Sequence, residues 1–177
     1  MPKSLSSTKM ISMDREPMFF EQFRSPTYGV LDFDSTIKRL LDYMGVAPGL
    51  EYELIIGTDS LLGQGATAEF VSAIVVHRKN RGGVYFWSKR TETQMHTLRQ
   101  RIFQEALFSL KLAEQLIERL KQENIVDYNL TIHVDIGPNG KTREMIHEVV
   151  GMIKGSGYAV KTKPDSYGAS SVADRHT

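Results

Sequence analysis

The chain has 177 residues, of which 41% are hydrophobic and 24% are charged, with a formal net charge of +1. These values predict one globular, soluble domain with a substantial core, and any nucleic acid would have to be held by a local basic patch. The absence of cysteine excludes disulfides, thiolate zinc sites and a cysteine nucleophile, and because no apolar run resembles a signal or a transmembrane segment we expect a cytoplasmic protein with no membrane association.

The N-terminal part of the chain is weakly patterned. We predict a flexible arm over residues 1–24, followed by one domain over residues 25–177. The arm carries three aromatic and two basic residues close together: Phe19, Phe20, Phe23, Arg15 and Arg24. These residues could contact nucleic acid, or the rings could dock the arm on the domain, which we favour because aromatic side chains are mostly buried.

Hydrophobic periodicity divides the domain into alternating strands and helices. A helix capped by Asp32 or Asp34 is predicted to end at Gly45. The later elements are predicted, in chain order, as strands 51–60, 68–78 and 84–89, a helix over 97–123, a strand over 130–134, a helix over 141–154, a strand over 158–163 and a short helix through Asp174. The order β-β-β-α-β-α-β-α predicts an α/β fold with a mixed five-stranded sheet flanked by helices.

Four carboxylates occupy positions that favour chemistry over stability. Asp59 ends the first predicted strand, and Asp135 ends the fourth, just before a glycine-containing turn. Glu105 borders the apolar face of the long helix, where an unpartnered carboxylate is costly, and Asp174 lies on the final helix. If the first and fourth strands are parallel neighbours, Asp59 and Asp135 lie side by side, and a helix crossing the sheet could bring Glu105 to the same place.

A cluster of four acids points to bound cations. Like charges held together cannot all ionise without counter-charge. Hard divalent ions such as Mg²⁺ supply it and prefer oxygen ligands. Two such ions about 3.5–4 Å apart can activate a water molecule and stabilise a leaving oxygen in phosphodiester hydrolysis.

Each acid also has an ordinary structural explanation when it is taken alone. Asp59 and Asp135 could cap turns. Glu105 could pair with Arg99 or Arg101 on its own helix. Asp174 could be a solvated acid near the end of the chain. The joint placement of the four acids favours a functional site.

The turn after Asp135 contains Gly140-Lys141-Thr142, a sequence typical of phosphate-binding P-loops. Asp135 stands where that motif has its first glycine, and its charge would repel the phosphates, so we do not expect a P-loop. Lys141 and Arg143 are still candidates for contacts with backbone phosphates. Alternatively, they are solvated residues of a first helical turn.

The chain resembles a bacterial family described as predicted ribonuclease H-like nucleases, over roughly residues 27–177. The resemblance is carried by the motifs Ile-Gly-Thr-Asp-Ser (56–60), Arg-Ile-Phe-Gln-Glu-Ala (101–106), His-Val-Asp-Ile-Gly (133–137), Asn-Gly-Lys-Thr-Arg (139–143), Lys-Pro-Asp-Ser (163–166) and Ser-Ser-Val-Ala-Asp (170–174). Nucleases of this fold hold two Mg²⁺ ions with acids of the first strand, first long helix, fourth strand and a late helix. The resemblance therefore implies that Asp59, Glu105, Asp135 and Asp174 are the catalytic metal ligands.

We therefore expect a metal-dependent nuclease that hydrolyses RNA, DNA or a hybrid with two Mg²⁺ or Mn²⁺ ions. Lys141 and Arg143 are expected to hold the substrate backbone. The alternative is a non-catalytic module on the same fold that binds nucleic acid or protein, which the near-neutral charge favours slightly. Phosphoryl transfer of the actin-type kinase class is a third possibility, but those kinases pair two such domains and 177 residues hold one.

Overall fold

A computed structural model describes residues 18–47, 49–126, 128–166 and 168–177. Its elements are, in chain order, strands β1 (Gln22–Ser25) and β2 (Gly29–Asp32), helix α1 (Phe33–Gly45), strands β3 (Tyr52–Leu62), β4 (Ala68–Arg78) and β5 (Gly83–Glu92), helix α2 (Leu98–Gln122), strand β6 (Asn129–His133), helix α3 (Ile146–Gly155), strand β7 (Ala159–Lys161) and helix α4 (Ala169–Asp174). A 3-10 turn, Arg143–Met145, precedes α3. Among the described helices, none is long and apolar enough to cross a membrane.

The sheet is mixed and has seven strands in the order β2-β1-β5-β4-β3-β6-β7. Strands β3, β4 and β5 form the predicted antiparallel meander, whereas β6 runs parallel to β3 and β7 runs parallel to β6. The five strands predicted from the sequence are β3 to β7. The two additional strands form a hairpin that pairs with β5 through β1.

The two faces of the sheet are covered unequally. Ile56 and Ile74, which are paired across β3 and β4, belong to the large buried cluster that includes residues of α1, α2 and α3. This side is called the α2 face. On the other side, Val71 and Ala73 of β4 pack against Ala173 of the short helix α4. This side is called the α4 face, and successive residues of each strand point alternately to the two faces.

The described part of the predicted arm packs on the domain. Phe20 and Phe23 are buried, and the backbone N–H and C=O of Phe20 bond to the side-chain amide of Gln115 on α2 at 3.0 and 2.7 Å. The predicted boundary between residues 24 and 25 therefore falls inside β1. Docking, the favoured interpretation of the phenylalanines, is confirmed for these two rings, whereas residues 1–17 of the arm lie outside the described residues.

Side-chain caps start the two longest helices where the sequence predicts. The carboxylate of Asp32 accepts the backbone N–H of Ser35 at 2.7 Å at the start of α1. Thr97 and Gln100 form a reciprocal capping box at the start of α2, which satisfies backbone donors that the first turn leaves free. The helix predicted from Lys141 instead begins at Ile146, after the 3-10 turn.

Candidate active site

The parallel pairing of β3 with β6 brings two of the predicted acids to the same end of the sheet. Gly57 lies opposite His133 in this ladder, and Asp59 and Asp135 each follow two residues later. The carboxyl ends of adjacent parallel strands are where ligands bind in open α/β sheets. The condition set from the sequence, that these strands are parallel neighbours, is met.

The pKa of Asp59 shows the effect of the neighbouring acids. Its side chain lies on the α4 face, because Asp59 is paired with Val71 and residues directly opposite share a face. Burial raises the pKa of Asp59, and the negative charges of Asp174 and Asp135 raise it further, against a hydrogen bond from the Ser60 backbone that lowers it. A carboxylate with like charges around it favours a proton or a cation.

Glu105 reaches the same strand end from α2, on the opposite face of the sheet. The hydroxyl of Ser60 donates a hydrogen bond to Glu105 Oε1 at 2.6 Å. Burial raises the pKa of Glu105 to about 8, and the charges of Asp59 and Asp135 add to this effect. At neutral pH and without a cation, the Glu105 carboxyl is therefore mostly protonated.

Arg101 and Ser60 hold α2 against the end of β3. One guanidinium nitrogen of Arg101, Nη1, donates to the carbonyl oxygen of Ser60 at 3.0 Å and to its hydroxyl at 3.1 Å. The other nearby arginine, Arg99, forms its ion pair with Glu148. The ion pairs among the described residues do not include Glu105, but the charge of Arg101 lowers the pKa of Glu105, and both side chains bond to the hydroxyl of Ser60.

Asp135 has a cationic neighbour from the segment after β7. Lys163 Nζ lies 2.9 Å from Asp135 Oδ1 in a pair that is partly open to solvent. The Lys163 backbone N–H also donates to the carbonyl of Ile136 at 2.8 Å. A Cβ at Gly137 would stand 3.1 Å from the Cβ of Lys163, so the glycine permits this close approach. The sequence carries no independent signal for the pair.

Asp174 enters the cluster from the α4 face. Its neighbour Ala173 is fully buried against Val71 and Ala73 of β4, which fixes the last turn of α4 on the sheet. Asp174 itself is exposed, and its charge contributes to the raised pKa of Asp59. The short helix thus adds a fourth carboxylate beside the strand end.

His133, the last residue of β6, fastens the start of α4. The backbone N–H of Gly168 donates to its Nδ1 at 3.3 Å, and a Cβ at Gly168 would come within 3.2 Å of the same atom. Burial lowers the pKa of His133 to about 4, with a smaller effect from the charge of Lys161. A neutral imidazole can accept this hydrogen bond across the physiological range.

The acids approach one another without forming a closed ligand cage. All four are described, and no three His, Asp or Glu side chains in the described part of the chain lie close enough together to hold a metal ion. Glu105 bonds to Ser60 and Asp135 pairs with Lys163, so two of the carboxylates are turned to local partners. The donor set, carboxylates of which two have raised pKa values, fits a hard divalent cation by charge and ligand type.

The predicted phosphate contacts, Lys141 and Arg143, lie on the surface of the turn that follows Asp135. Gly140 just before them has a positive φ of 84°, a turn conformation that suits glycine. Because α3 begins at Ile146, no α-helix N-terminus stands at Lys141, which agrees with the expectation that this turn is not a P-loop.

A mixed sheet of this order, with acids at these strand ends and helices, defines an α/β protein of the ribonuclease H-like class. A family model described as Ribonuclease H-like matches residues 35–177, and the chain belongs to that family. The chain is 30% identical over 158 residues to "Uncharacterized protein YkuK" of Bacillus subtilis (strain 168), an alignment that covers 83% of this chain and 91% of the relative. No solved structure matches the chain. The family and fold predicted from the sequence are confirmed.

Proposed function

We propose that this protein is a divalent-metal-dependent nuclease that hydrolyses phosphodiester bonds of RNA, DNA or a hybrid in the cytoplasm. The observation that carries the proposal is the convergence of four acids near the carboxyl ends of the parallel strands β3 and β6 of a ribonuclease H-like fold, where the other acids raise the pKa values of Asp59 and Glu105. The pKa of Asp59 responds to Asp135 and Asp174, and that of Glu105 responds to Asp59 and Asp135. Such shifts cluster at functional sites.

In this proposal Asp59 and Asp135 are the central ligands, and Glu105 and Asp174 complete the coordination of two Mg²⁺ or Mn²⁺ ions. When bound, the ions supply Lewis-acid stabilisation of the phosphate and a water of lowered pKa. Glu105 would bind an ion in its carboxylate form, and Ser60 keeps its side chain in place. The exposed cations Lys141 and Arg143 bind the substrate backbone through its phosphates.

We expect Mn²⁺ or Mg²⁺ to stabilise the folded protein, because an ion that binds the native acids and not the unfolded chain adds free energy by mass action. At an ion concentration about 100 times the dissociation constant the gain is about 2.7 kcal/mol. Thermal unfolding with and without each ion measures this gain. Asp135→Asn should remove most of it.

The matched control for this measurement is Asp42→Asn on α1, far from the acids in the fold. It should keep the full ion-dependent stabilisation. An equal thermal shift in Asp135→Asn and in the unaltered protein would contradict the metal site. A nuclease screen with single-stranded, duplex and hybrid substrates then tests turnover directly.

The second candidate is a non-catalytic module that binds nucleic acid or protein through the same fold. It is favoured by one observation, namely that the described acids do not form a closed metal cage. It differs from the nuclease in its expected results. Binding would survive Asp59→Asn, and no divalent ion would support turnover.

A further inference from the structure

The pairing of β1, β4 and β5 places an aromatic and basic row on the α4 face. Ala73 is paired with Trp87, Trp87 with Arg24, and Arg24 with Val30. Residues directly opposite share a face, and Ala73 belongs to the α4 face because it packs on Ala173. Trp87 therefore flanks α4, and Arg24 and Val30 continue the row as exposed residues.

A second row links this surface to the acids. Asp59 is paired with Val71, and Val71 with Lys89. Lys89 therefore lies on the same face as Asp59, two strand spacings or about 10 Å away. Lys89 and Trp87 therefore lie beside the candidate active site, and the last turn of α4 separates them from it.

Two cationic side chains and an imidazole surround the indole of Trp87. The guanidinium carbon of Arg24 lies 5.4 Å from the ring centroid, and Lys89 Nζ lies 5.9 Å from it. The imidazole of His176 stacks on the indole, with centroids 4.2 Å apart and planes 15° apart. The imidazole therefore covers one face of the indole, and a base that stacks on that face takes the place of His176.

Beside Trp87, β1 and β5 diverge and leave an open cleft. Their ladder consists of the single pair Arg24 and Trp87, and a cavity of about 510 Å³ opens between the two strands. The described residues that line it include three cations, Arg24, Lys89 and Arg90, and one acid, Glu21. Ion pairs with Glu69 and Glu92 offset part of the charge of Lys89 and Arg90, and the Arg90 guanidinium donates to the carbonyl of Phe19. Arg24 is the cation of this cleft that faces Trp87 without such a pair among the described residues, so the α4-face side of the cleft complements an anionic ligand.

We propose that this surface, the Trp87 platform (Arg24, Trp87 and Lys89), binds single-stranded nucleic acid and leads it to the four acids. An unpaired base stacks on the aromatic side chains while phosphates follow the cations, which is how sequence-tolerant single-strand sites work. The bases of a duplex are stacked on one another, so their faces cannot stack on Trp87. The inference rests on the proposed function, since it names the substrate class of the same site.

The chain offers a direct spectroscopic test, because Trp87 is its single tryptophan. The unaltered 177-residue chain, in EDTA so that no cleavage occurs, is titrated with an oligothymidine strand while tryptophan emission is followed. We expect saturable quenching by this strand and none by an abasic strand of equal length or by a blunt duplex. Quenching by the abasic strand or the duplex to the same extent would overturn base stacking at Trp87, and so would no quenching by any of them.

Variants separate stacking from charge. In fluorescence polarisation with a labelled oligothymidine, Trp87→Ala should weaken binding roughly 5- to 150-fold, the effect of one stacked base. Trp87→Phe, which keeps a ring over α4, should lose less. Arg24→Ala should reduce the slope of log affinity against log salt by about 0.7, the share of one phosphate contact in a single strand.

The control cation is Lys121, exposed in the last turn of α2 and about 24 Å along that helix from Glu105. Lys121→Ala should leave both affinity and salt slope unchanged. Thermal unfolding of Trp87→Ala shows whether the fold is retained. If that variant is unfolded, Arg24→Ala and Trp87→Phe carry the test, and unchanged binding in both overturns the platform.

The failure of this inference and that of the proposed function can be told apart. Cleavage of duplex substrates without any single-strand binding at Trp87 overturns the platform and leaves the nuclease intact. Single-strand binding at Trp87 with no cleavage under any divalent ion overturns the nuclease and leaves the platform intact. Polyglutamate that quenches Trp87 as strongly as the oligonucleotide would show an acidic-protein surface instead and overturn the assignment to nucleic acid.

Discussion

Asp135→Asn is expected to reduce the proposed metal-dependent phosphodiester hydrolysis strongly while leaving the fold intact. The asparagine keeps the size of the side chain and one oxygen but loses the charge that a divalent ion requires. We expect the rate to fall on the order of 10³-fold, which corresponds to about 4 kcal/mol of lost transition-state stabilisation. The ion pair with Lys163 is partly open to solvent, so its loss should cost less than about 1 kcal/mol of stability.

The measurement is the initial rate of cleavage with Mn²⁺ and with Mg²⁺, on single-stranded and on duplex substrates. Asp42→Asn, an aspartate far from the cluster, should retain full activity. Circular dichroism and thermal unfolding in EDTA should show the same fold for both variants. Full activity in Asp135→Asn would remove this residue from the proposed metal site and with it the proposed central ligand pair.

The second large effect concerns the stability of Glu105→Gln as the pH rises. In the folded protein the pKa of Glu105 is raised to about 8, chiefly by burial, from an ordinary value of 4.5. Between these two values the folded state holds a proton that the unfolded state has released, so stability falls as the pH rises through this window. Each pKa unit corresponds to about 1.4 kcal/mol, so the full loss is on the order of a few kcal/mol.

Glutamine carries no titrating proton and can still accept the hydrogen bond from Ser60. Between about pH 5 and about pH 8 the unaltered protein should lose stability relative to Glu105→Gln, so the difference between their free energies of unfolding should change in favour of the variant as the pH rises. Urea denaturation in EDTA across this range measures the difference. Glu118→Gln, on the exposed side of the same helix, is the control and should follow the unaltered curve.

Two results would speak against this account of Glu105. Parallel pH curves for Glu105→Gln and the unaltered protein would mean that its pKa is ordinary. The addition of Mn²⁺ offers a further check, because an ion that replaces the Glu105 proton should flatten the pH dependence of the unaltered protein. No change of slope with Mn²⁺ would separate Glu105 from the metal site.

The sequence predicted the central strands well because their patterns are long. Strand β4 was expected over 68–78 and has those bounds, since an apolar run of this length leaves little doubt about its type. Strands β1 and β2 were missed because four residues each are too few to show a period of two. The start of α3 was predicted five residues too early. The conformation of the glycine-containing turn before it depends on tertiary contacts, which the sequence pattern does not show.

The sequence also predicted some residues of the candidate site and missed others. Asp59, Asp135 and Glu105 were found because the sequence pattern places them at predicted strand ends or beside an apolar helix face, although β3 runs past Asp59 to Leu62. Asp174 joined them through the family resemblance. Their partners were not found, since the contacts of Ser60 with Glu105 and of Lys163 with Asp135 join residues far apart in the chain. The closeness of Trp87 to the acids depends on strand register, which periodicity does not reveal.

The small size of α4 has a consequence for how the protein responds to heat. A helix of six residues is too short to persist by itself. It is held by Ala173 against the sheet, by the bond between Gly168 and His133 and by the stacking of His176 on Trp87. Such an element can open locally at a free energy below that of global unfolding. Warming would then detach Asp174 and expose the face of the sheet beneath while β3, β4 and α2 remain folded, so thermal inactivation would precede melting.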